Sequence, residues 1–224
     1  GNTAESITYS KDNKNFTVVA EKEIILCAGS IGSPHLLQTS GIGEASKLKD
    51  LGIDIVKDLK GVGKNLQDHL MFRPVYKVKN IETLNKKINS VFGKLLIGLE
   101  YIFKRKGPMT MGASQLCGFA KSDPTKDTPN LQFHIQPIST DKLGGANLHD
   151  FHAFTPTVAN IRPTSRGEIT INSSDSKVNP KIKMNYLSTD EDRKVAADGI
   201  KLIRKIVMET NEFKKYEPEE FRPG

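Results

Sequence analysis

Apolar and polar positions alternate along this chain with two different periods, and each period predicts one kind of secondary structure. Residues 131–137 alternate one by one, which predicts a strand with an apolar and a polar face. The apolar positions of that strand are Leu131, Phe133 and Ile135, and the polar positions are Gln132, His134 and Gln136. Residues 84–103 and 190–209 instead repeat apolar positions every three or four residues, which predicts two amphipathic helices.

Shorter stretches bounded by turn-forming residues predict the remaining elements. Residues 5–9 and 16–20 form a predicted hairpin, because the polar segment between them is typical of a turn. The other predicted strands are residues 53–56, 115–120, 153–161, 167–172 and 181–186, and a short helix is predicted over residues 44–51. The pattern indicates a mixed α and β protein whose middle part is rich in antiparallel strands.

An unbroken apolar run over residues 24–27 differs from these alternating patterns. Consecutive apolar residues followed by small ones are typical of a strand buried on both faces, as in a parallel sheet. We therefore predict such a strand over residues 23–29. Ser33 and Pro34 suit the N-cap and first turn of the helix that follows, and Gly41 suits its end.

The composition is that of a globular protein. The 224 residues are 37% hydrophobic and 26% charged, and no apolar stretch reaches the roughly 18 residues that span a bilayer. Two cysteines, Cys27 and Cys117, are too few for a disulfide framework or a four-cysteine zinc site, and we predict both to be buried core thiols. The chain starts at Gly1 without a methionine or signal peptide and ends without a predicted helix or strand, so we expect both ends to be cuts through a longer protein.

The net charge of +7 is concentrated in one segment. Residues 70–107 contain nine basic and two acidic residues, and they include the predicted helix over residues 84–103. Two hypotheses follow for that helix: it packs on the core, or it is a lid or membrane-surface helix, because basic amphipathic helices bind anionic lipid. Nucleic acid is not expected as a partner, since tryptophan is absent, other aromatic residues are few and no nucleic-acid motif occurs.

Residues 29–43 are the strongest candidate for a binding site. They combine the end of the predicted buried strand, a turn of small residues and a helix N-terminus. Small residues let a ligand approach the backbone, and a helix N-terminus presents unpaired N–H groups with a partial positive charge. A phosphate or the edge of a flavin would suit such a place.

Four blocks of residues, in order along the chain, resemble signatures of the glucose–methanol–choline (GMC) oxidoreductases. In the first block every defining position is filled: Gly29, Ser30, Ser33, Pro34, Leu36, Leu37 and residues 40–43. The others are residues 61–69 (GVGKNLQDH), residues 163–169 (PTSRGEI), and Pro180 with residues 185–187 (NYL). The chain is most similar to the insect glucose-dehydrogenase-like branch of that family.

The resemblance implies an α/β plus α+β fold, with part of a Rossmann-like FAD-binding domain and an inserted antiparallel-sheet substrate domain. It assigns residues 1–69 to the FAD-binding domain, residues 70–187 to the substrate-binding domain and residues 188–224 to a helix returning toward the FAD domain. It implies FAD as the cofactor, with Ala28, Gly29, Ser30 and Asn65 as cofactor-binding residues. It also implies a small alcohol or sugar substrate near Gln132, His134 and Gln136.

The implied reaction oxidises a CH–OH group by hydride transfer to the flavin. The family's Gly-x-Gly-x-x-Gly loop is absent, because residues 61–63 lack the third glycine. The block with the family's catalytic histidine is also absent, so no catalytic residue is assigned and the 224 residues alone are expected to be inactive. Two alternatives remain: a non-redox family member such as a lyase that retains FAD, or a binding module that uses the basic helix. Neither the electron acceptor nor the compartment is indicated.

The other chemistry-bearing residues have structural interpretations. His35 is predicted to pack or to be exposed, His69 to be a structural anchor near the domain junction, and Arg166 to fix the start of a strand. His149 and His152 are three residues apart, but no further ligands support a metal site. The acidic run at residues 190–192 is predicted to complement a helix dipole.

Overall fold

A computed structural model describes residues 3–112, 114–142 and 147–224. The strands are β1 (Ser6–Lys11), β2 (Lys14–Val19), β3 (Ile42–Gly43), β4 (Lys57–Asp58), β5 (Met71–Phe72), β6 (Val75–Lys77), β7 (Leu116–Ala120), β8 (Leu131–Gln136), β9 (Ala153–Asn160), β10 (Glu168–Thr170), β11 (Lys181–Lys183) and β12 (Glu219–Arg222). The helices are α1 (Gly29–Thr39), α2 (Ala45–Asp50), α3 (Leu84–Asn89), α4 (Val91–Lys104), α5 (Asp190–Glu209) and α6 (Asn211–Lys214), with a 3-10 turn at Pro108–Thr110.

The chain divides into two compact units. The first unit is Gly1–Gln67 with Arg166–Tyr186, and the second is Asp68–Ser165 with Leu187–Gly224. The first division lies within two residues of the boundary expected after residue 69. The structure groups β10 and β11 with the first unit and helix α5 with the second, whereas the sequence-based domains place both strands in the middle segment.

The first unit contains the predicted hairpin. Strands β1 and β2 pair in an antiparallel register around Asp12 and Asn13, which have φ values of 51° and 59°. Asp and Asn tolerate this left-handed backbone, so a two-residue turn forms. The strand predicted over residues 53–56 is displaced to β4, which pairs in parallel with β3.

The prediction of a buried strand over residues 23–29 was wrong. Residues 23–28 have no regular structure, and none of the described strands pairs with them. A strand buried on both faces needs neighbouring strands on both sides, and without a ladder the apolar run lies largely exposed, with Ile25 73% accessible. Helix α1 begins at Gly29 rather than at Ser33, so Pro34 lies inside the helix.

The second unit is a sheet covered by a helix. Its strand order is β12-β6-β9-β8-β7, every pair is antiparallel, and β5 also pairs with β9. Large buried side chains of the sheet and of α5 form one core: Tyr76, Val78, Leu131, Phe133, Phe154, Val158, Val195, Ile203 and Val207. Gly199 allows α5 to approach the sheet, because an added Cβ would lie 3.1 Å from the Val158 side chain.

Strands β7, β8 and β9 and helix α5 confirm the corresponding predictions. The helix predicted over residues 84–103 is two helices separated at Ser90, whose hydroxyl caps α4 by accepting a 3.3 Å hydrogen bond from the Gly93 N–H. The expectation that the chain ends without regular structure was also wrong, since β12 pairs with β6.

Helix α4 turns its apolar side outward. Its exposed apolar residues are Val91, Phe92, Leu95, Leu96, Leu99, Ile102 and Phe103. At about 100° per residue they occupy one continuous arc of about 140°, while Gly93 and Ile97 are buried on the opposite side. The hypothesis that this apolar face packs on the core was therefore wrong. Within the described ranges, no helix is long and apolar enough to cross a membrane.

The prediction that both cysteines are buried was wrong as well, because Cys27 and Cys117 are exposed free thiols. Cys27 belongs to the unpaired segment before α1, so no sheet covers it. Cys117 lies in β7, which is the last strand in the order of the described sheet and has a neighbouring strand on one side.

Candidate functional site

Helix α1 begins with an open N-terminus in the first unit. Its N-cap is Ala28, which has no side-chain oxygen to accept from the first N–H groups, and its first turn contains no acidic residue. Gly29 has a φ of +75°, and a Cβ added there would meet no atom within 4 Å. The first turn therefore presents N–H groups that no side chain caps, together with a partial positive charge.

A cavity of about 440 Å³ is formed by α1 and the loop that precedes residue 68. Its lining residues are Ser30, Ser33, Pro34, Leu37, Val62, Gly63, Lys64, Asn65, Leu66, Gln67 and Ile169. This volume is within the range of about 300–1,000 Å³ that small-molecule sites occupy. Two predicted cofactor residues, Ser30 and Asn65, thus line one cavity although they are far apart in sequence, and Ala28 and Gly29 directly precede Ser30.

A glycine lets the loop of this cavity lie directly on strand β10. Gly63 has a φ of +80°, and a Cβ added there would overlap the Ile169 carbonyl. The Ile169 N–H donates to the Gly63 carbonyl at 2.7 Å, and Leu66 and Gly167 exchange backbone hydrogen bonds at 2.8 and 3.0 Å. The GVG sequence is therefore a backbone contact with β10 here, not a phosphate-binding turn between a strand and a helix.

Gln38 connects α1 to the same strand. Its side chain is buried, its Nε2 donates to the Ile169 carbonyl at 3.1 Å, and its Oε1 accepts from the Ile171 N–H at 3.2 Å. The one side-chain amide of Gln38 thus satisfies a backbone acceptor in β10 and a backbone donor just after that strand. This role is not predictable from the sequence, because its partners lie more than 130 residues away and the GMC resemblance assigns nothing to this glutamine.

Asn65 has the left-handed φ of 62°, a conformation that asparagine tolerates. Arg166 fixes its side chain, because the Arg166 Nε donates to the Asn65 Oδ1 at 2.8 Å. Next to it, Lys64 pairs with Glu168; the hydrogen bond raises the pKa of Lys64 and lowers the pKa of Glu168. Arg166 therefore positions a predicted cofactor residue, in addition to lying at the start of the predicted strand.

The residues of the α1 cavity fit part of FAD. Uncapped N–H groups and the Ser30 and Ser33 side chains supply hydrogen-bond donors, which suit a phosphate or the polar edge of a flavin. Leu37 and Val62 supply apolar surface for the flat face of an aromatic ring. The open space at Gly29 is where a ligand could approach the backbone.

In the second unit, the structure brings the three predicted substrate residues together on one face of β8. Gln136 accepts at Oε1 from the Arg73 Nη2 at 3.0 Å, and its Nε2 donates to the Ser114 hydroxyl at 3.2 Å. Gln132 donates to the Cys117 Sγ at 3.5 Å. His134 is partly buried between them along the strand. Sequence reasoning missed Arg73, whose proximity follows only from the strand pairing.

The remaining histidines do not converge. His149 contacts the Ser139 hydroxyl and Asp141, each at 2.9 Å, and His152 accepts at Nδ1 from the Thr83 N–H at 3.1 Å. His69 is exposed and His35 is partly buried. In the part of the chain that the structure describes, no group of three or more histidine, cysteine or acidic side chains could hold a metal ion.

Asp192 is a buried hydrogen-bond acceptor rather than only a helix-terminal charge. Its oxygens accept from the Asn160 Nδ2 at 3.1 Å and from the Thr164 and Ser165 N–H groups at 2.8 Å each. Burial alone would raise the pKa of Asp192, but the hydrogen bonds from Ser165 and Thr164 outweigh it and hold this pKa below its ordinary value. Thr164 and Ser165 are thereby attached to the first turn of α5.

Comparison with known proteins assigns the family. Two models of the GMC oxidoreductase family match residues 1–71 and 163–223, which together are more than half of the chain. The chain belongs to the GMC oxidoreductases. FAD is the cofactor of this family, and the helices and antiparallel sheets described above agree with its fold.

Similar proteins include oxygen-dependent choline dehydrogenases. The chain is 35% identical to the one from Chromohalobacter salexigens over 224 residues, and to the one from Acinetobacter baumannii over 220 residues. These alignments cover 100% and 98% of this chain but 40% and 39% of the relatives. The chain therefore spans about 40% of the length of the curated relatives it matches.

Solved structures share the fold. A formate oxidase has a TM-score of 0.87 at 23% identity, with 99% of this chain and 43% of that chain covered. A pyridoxine 4-oxidase from Mesorbium loti has a TM-score of 0.77 at 23% identity, with 100% and 40% covered. At these identities the likeness supports the fold and carries no assignment of substrate.

Proposed function

We propose that this chain is part of an FAD-dependent oxidoreductase that acts on a CH–OH group of an alcohol or sugar. The observation that carries the proposal is the cavity at the open N-terminus of α1, which Ser30 and Asn65 both line. The residue pattern of the motif blocks supports the finer placement in the glucose-dehydrogenase-like branch. The choline dehydrogenase name of relatives that are 35% identical supports a small polar alcohol substrate more broadly.

We assign a role in FAD binding to Gly29, Ser30 and Asn65, and to the N–H groups that follow Ala28. The N–H groups after Ala28 and the Ser30 hydroxyl bind polar groups of FAD, and Gly29 leaves the space for them. Asn65, held by Arg166, donates from the other side of the cavity. When bound, FAD supplies the hydride acceptor for the oxidation. No residue of this chain is assigned as the base that takes the hydroxyl proton.

The experiment compares two glycines that differ only in location. Gly29 and Gly52 have φ values of +75° and +69°, and an added Cβ meets nothing within 4 Å at either position. G29A and G52A therefore cost similar backbone strain, of about 1–2 kcal/mol. In the protein as its gene encodes it, we expect G29A to weaken FAD binding about tenfold or more and G52A to leave it unchanged, measured by flavin fluorescence.

Equal FAD affinity of G29A and the unmodified protein would contradict the assignment of α1 to the cofactor. Equal loss in both variants would show that backbone strain, not contact with FAD, lowers the affinity. A sugar-oxidation assay of the same protein separately tests the finer placement: turnover of an alcohol but of no sugar would reject the glucose-dehydrogenase-like branch.

A second candidate function, binding to an anionic membrane surface, is favoured by the outward apolar face of α4. Phe103 is 78% and Val91 85% exposed there. Residues 84–106 contain six basic side chains and one acidic side chain, Glu100. An apolar stripe flanked by lysine and arginine is the arrangement with which a helix lies in an anionic lipid interface, where each basic residue contributes about 1 kcal/mol.

Vesicle co-sedimentation tests this candidate. We expect binding to vesicles of phosphatidylserine and phosphatidylcholine that is lost at high salt and on F103S. The matched control is M208S, which removes a 40% exposed apolar side chain of α5 in the same unit. Absence of binding at low salt would reject the candidate. Self-association detected by sedimentation velocity and lost in F103S would instead assign the face to a second copy.

A further inference from the structure

Four side chains form one row across the polar face of the second unit's sheet. Cys117 lies opposite His134, and His134 lies opposite Thr157. Strands β5 and β6 pair with β9 in the same register on either side of Arg73, with Phe72 opposite Val158 and Tyr76 opposite Phe154. This register places Arg73 opposite Thr157. Side chains opposite each other point to the same face, with Cβ atoms about 4.5–5.5 Å apart.

Two neighbours in this row have buried polar atoms without a hydrogen-bond partner. The Arg73 Nε and the Thr157 Oγ1 are both inaccessible, and neither has a partner among the described residues. Thr157 is 1% exposed. Buried polar atoms are nearly always hydrogen-bonded, so two adjacent exceptions on one face indicate a place where a ligand supplies the partner.

Arg73 also lacks a counter-ion. In the described parts of the chain it forms no salt bridge, and the one hydrogen bond of its guanidinium goes to the neutral Gln136 amide. Burial lowers the pKa of Arg73. Arg73 is partly buried, and a partly desolvated guanidinium without a carboxylate is stabilised by an anion opposite its donors.

We propose that Arg73, Thr157 and His134 bind the carboxylate of a small-molecule substrate. A carboxylate matches the planar donor fork of a single guanidinium, and the Thr157 hydroxyl lies next to it in the row. The His134 side chain makes no hydrogen bond or ion pair with the other described residues, so its ring is available to the same ligand. The inference rests on the proposed function only in naming the ligand a substrate, and it narrows the alcohol or sugar to one that carries an acid group.

The test is calorimetric binding of glycerate and glycerol, without a turnover assay, so its outcome does not depend on FAD or on the proposed reaction. We expect glycerate to bind at least tenfold more tightly than glycerol. R73Q should weaken glycerate binding about 10- to 100-fold and T157V less, with R73K retaining part of the affinity. Glycerol binding should be equal in all variants.

R105Q is the matched control, because Arg105 is an exposed arginine of the same unit. Unchanged glycerate binding in R73Q, or an equal loss in R105Q, would overturn the proposal. Tighter binding of inorganic phosphate than of glycerate, lost in R73Q, would overturn the carboxylate assignment in favour of a phosphate. If R73Q does not fold by circular dichroism, T157V and the preference of the unmodified protein for glycerate over glycerol decide.

Discussion

The two units of this chain bury apolar surface to very different extents. In the second unit, the sheet and α5 enclose a continuous core that contains Tyr76, Val158 and Ile203. In the first unit, the large apolar side chains that are buried among the described residues are Leu48, Ile169 and Ile171, and both strands of its hairpin are exposed throughout.

The two units are therefore stabilised in different ways. The second unit is fixed by apolar packing, whereas the first relies on hydrogen bonds between segments distant in sequence, such as those of Gln38. A region with little core opens locally at low free-energy cost and gains stability from any ligand that binds its folded form. We therefore expect hydrogen exchange to be faster in α1 than in α5, and FAD to slow exchange in α1.

The largest expected effect is on the core of the second unit. I203A removes a fully buried side chain of α5 and should lower the free energy of unfolding of that unit by about 2–5 kcal/mol, because it leaves a cavity. The control is I206A on the same helix, where the side chain is 39% exposed and the cost should stay below about 1 kcal/mol. Equal effects in denaturant titrations would show that the unit is not held by this core.

The second largest effect on stability is expected at Asp192, the buried carboxylate of the second unit. D192N keeps the shape but replaces one acceptor oxygen by an NH₂ group, which faces the N–H donor of either Thr164 or Ser165, so it should cost about 1.5–3 kcal/mol at pH 7. Because folding lowers the pKa of Asp192 below its ordinary value, its contribution is present above that ordinary pKa and is lost as the pH falls through the folded-state pKa.

The stability of the unmodified protein should thus fall more steeply below about pH 4 than that of D192N. Denaturant midpoints measured from pH 3 to pH 7 check this slope. An acid slope that is the same in both proteins would show that Asp192 does not carry this pH dependence, and that other carboxylates do.

A smaller effect is expected from the connecting amide of the first unit. Q38L leaves the Ile169 carbonyl and the Ile171 N–H without the side-chain bonds they have now, at a cost of about 1–3 kcal/mol. The rate of amide hydrogen exchange, measured by mass spectrometry, should rise in α1 and β10 and remain unchanged in β8. Increased exchange in β8 as well would mean that the two units unfold together, and the comparison between them would fail.

The smallest effect is expected at the ion pair between Lys64 and Glu168. Both side chains are about one-third or more exposed, at 40% and 32%, so K64M should change the stability of the first unit by less than about 1 kcal/mol. The same variant should return the pKa of Glu168 toward its ordinary value, because the Lys64 hydrogen bond that lowers it is removed. Carboxylate titration by NMR measures that shift.

Elements with a complete internal pattern were predictable from the sequence. Strand β8 and helix α5 have full periods of two and of about 3.6 residues, and both formed as predicted. The run over residues 24–27 was not predictable in this way, because its burial depends on neighbouring strands that local sequence does not specify. For α4, the pattern indicates which side is apolar but not which side faces outward.

The candidate sites show the same limit. The motif that contains Ser30 predicts a binding site at the start of α1, and the structure has a cavity there that Ser30 lines. The row that contains Arg73 and Thr157 could not be predicted, because it follows from the register of β5 and β6 on β9 rather than from any spacing along the chain. Gln38 and Asp192 act through partners that the fold alone brings near.

The Gln38 bonds also have a consequence for the time course of synthesis. They join residues that are 131 and 133 positions apart. A ribosome adding about 5–20 residues per second needs roughly 7–27 s to make the intervening chain, so α1 leaves the exit tunnel long before its partner strand exists. During that interval the Gln38 amide and the cavity face of α1 are open to solvent and to chaperones. Nascent chains stalled before residue 171 should lack the complete pair of Gln38 hydrogen bonds.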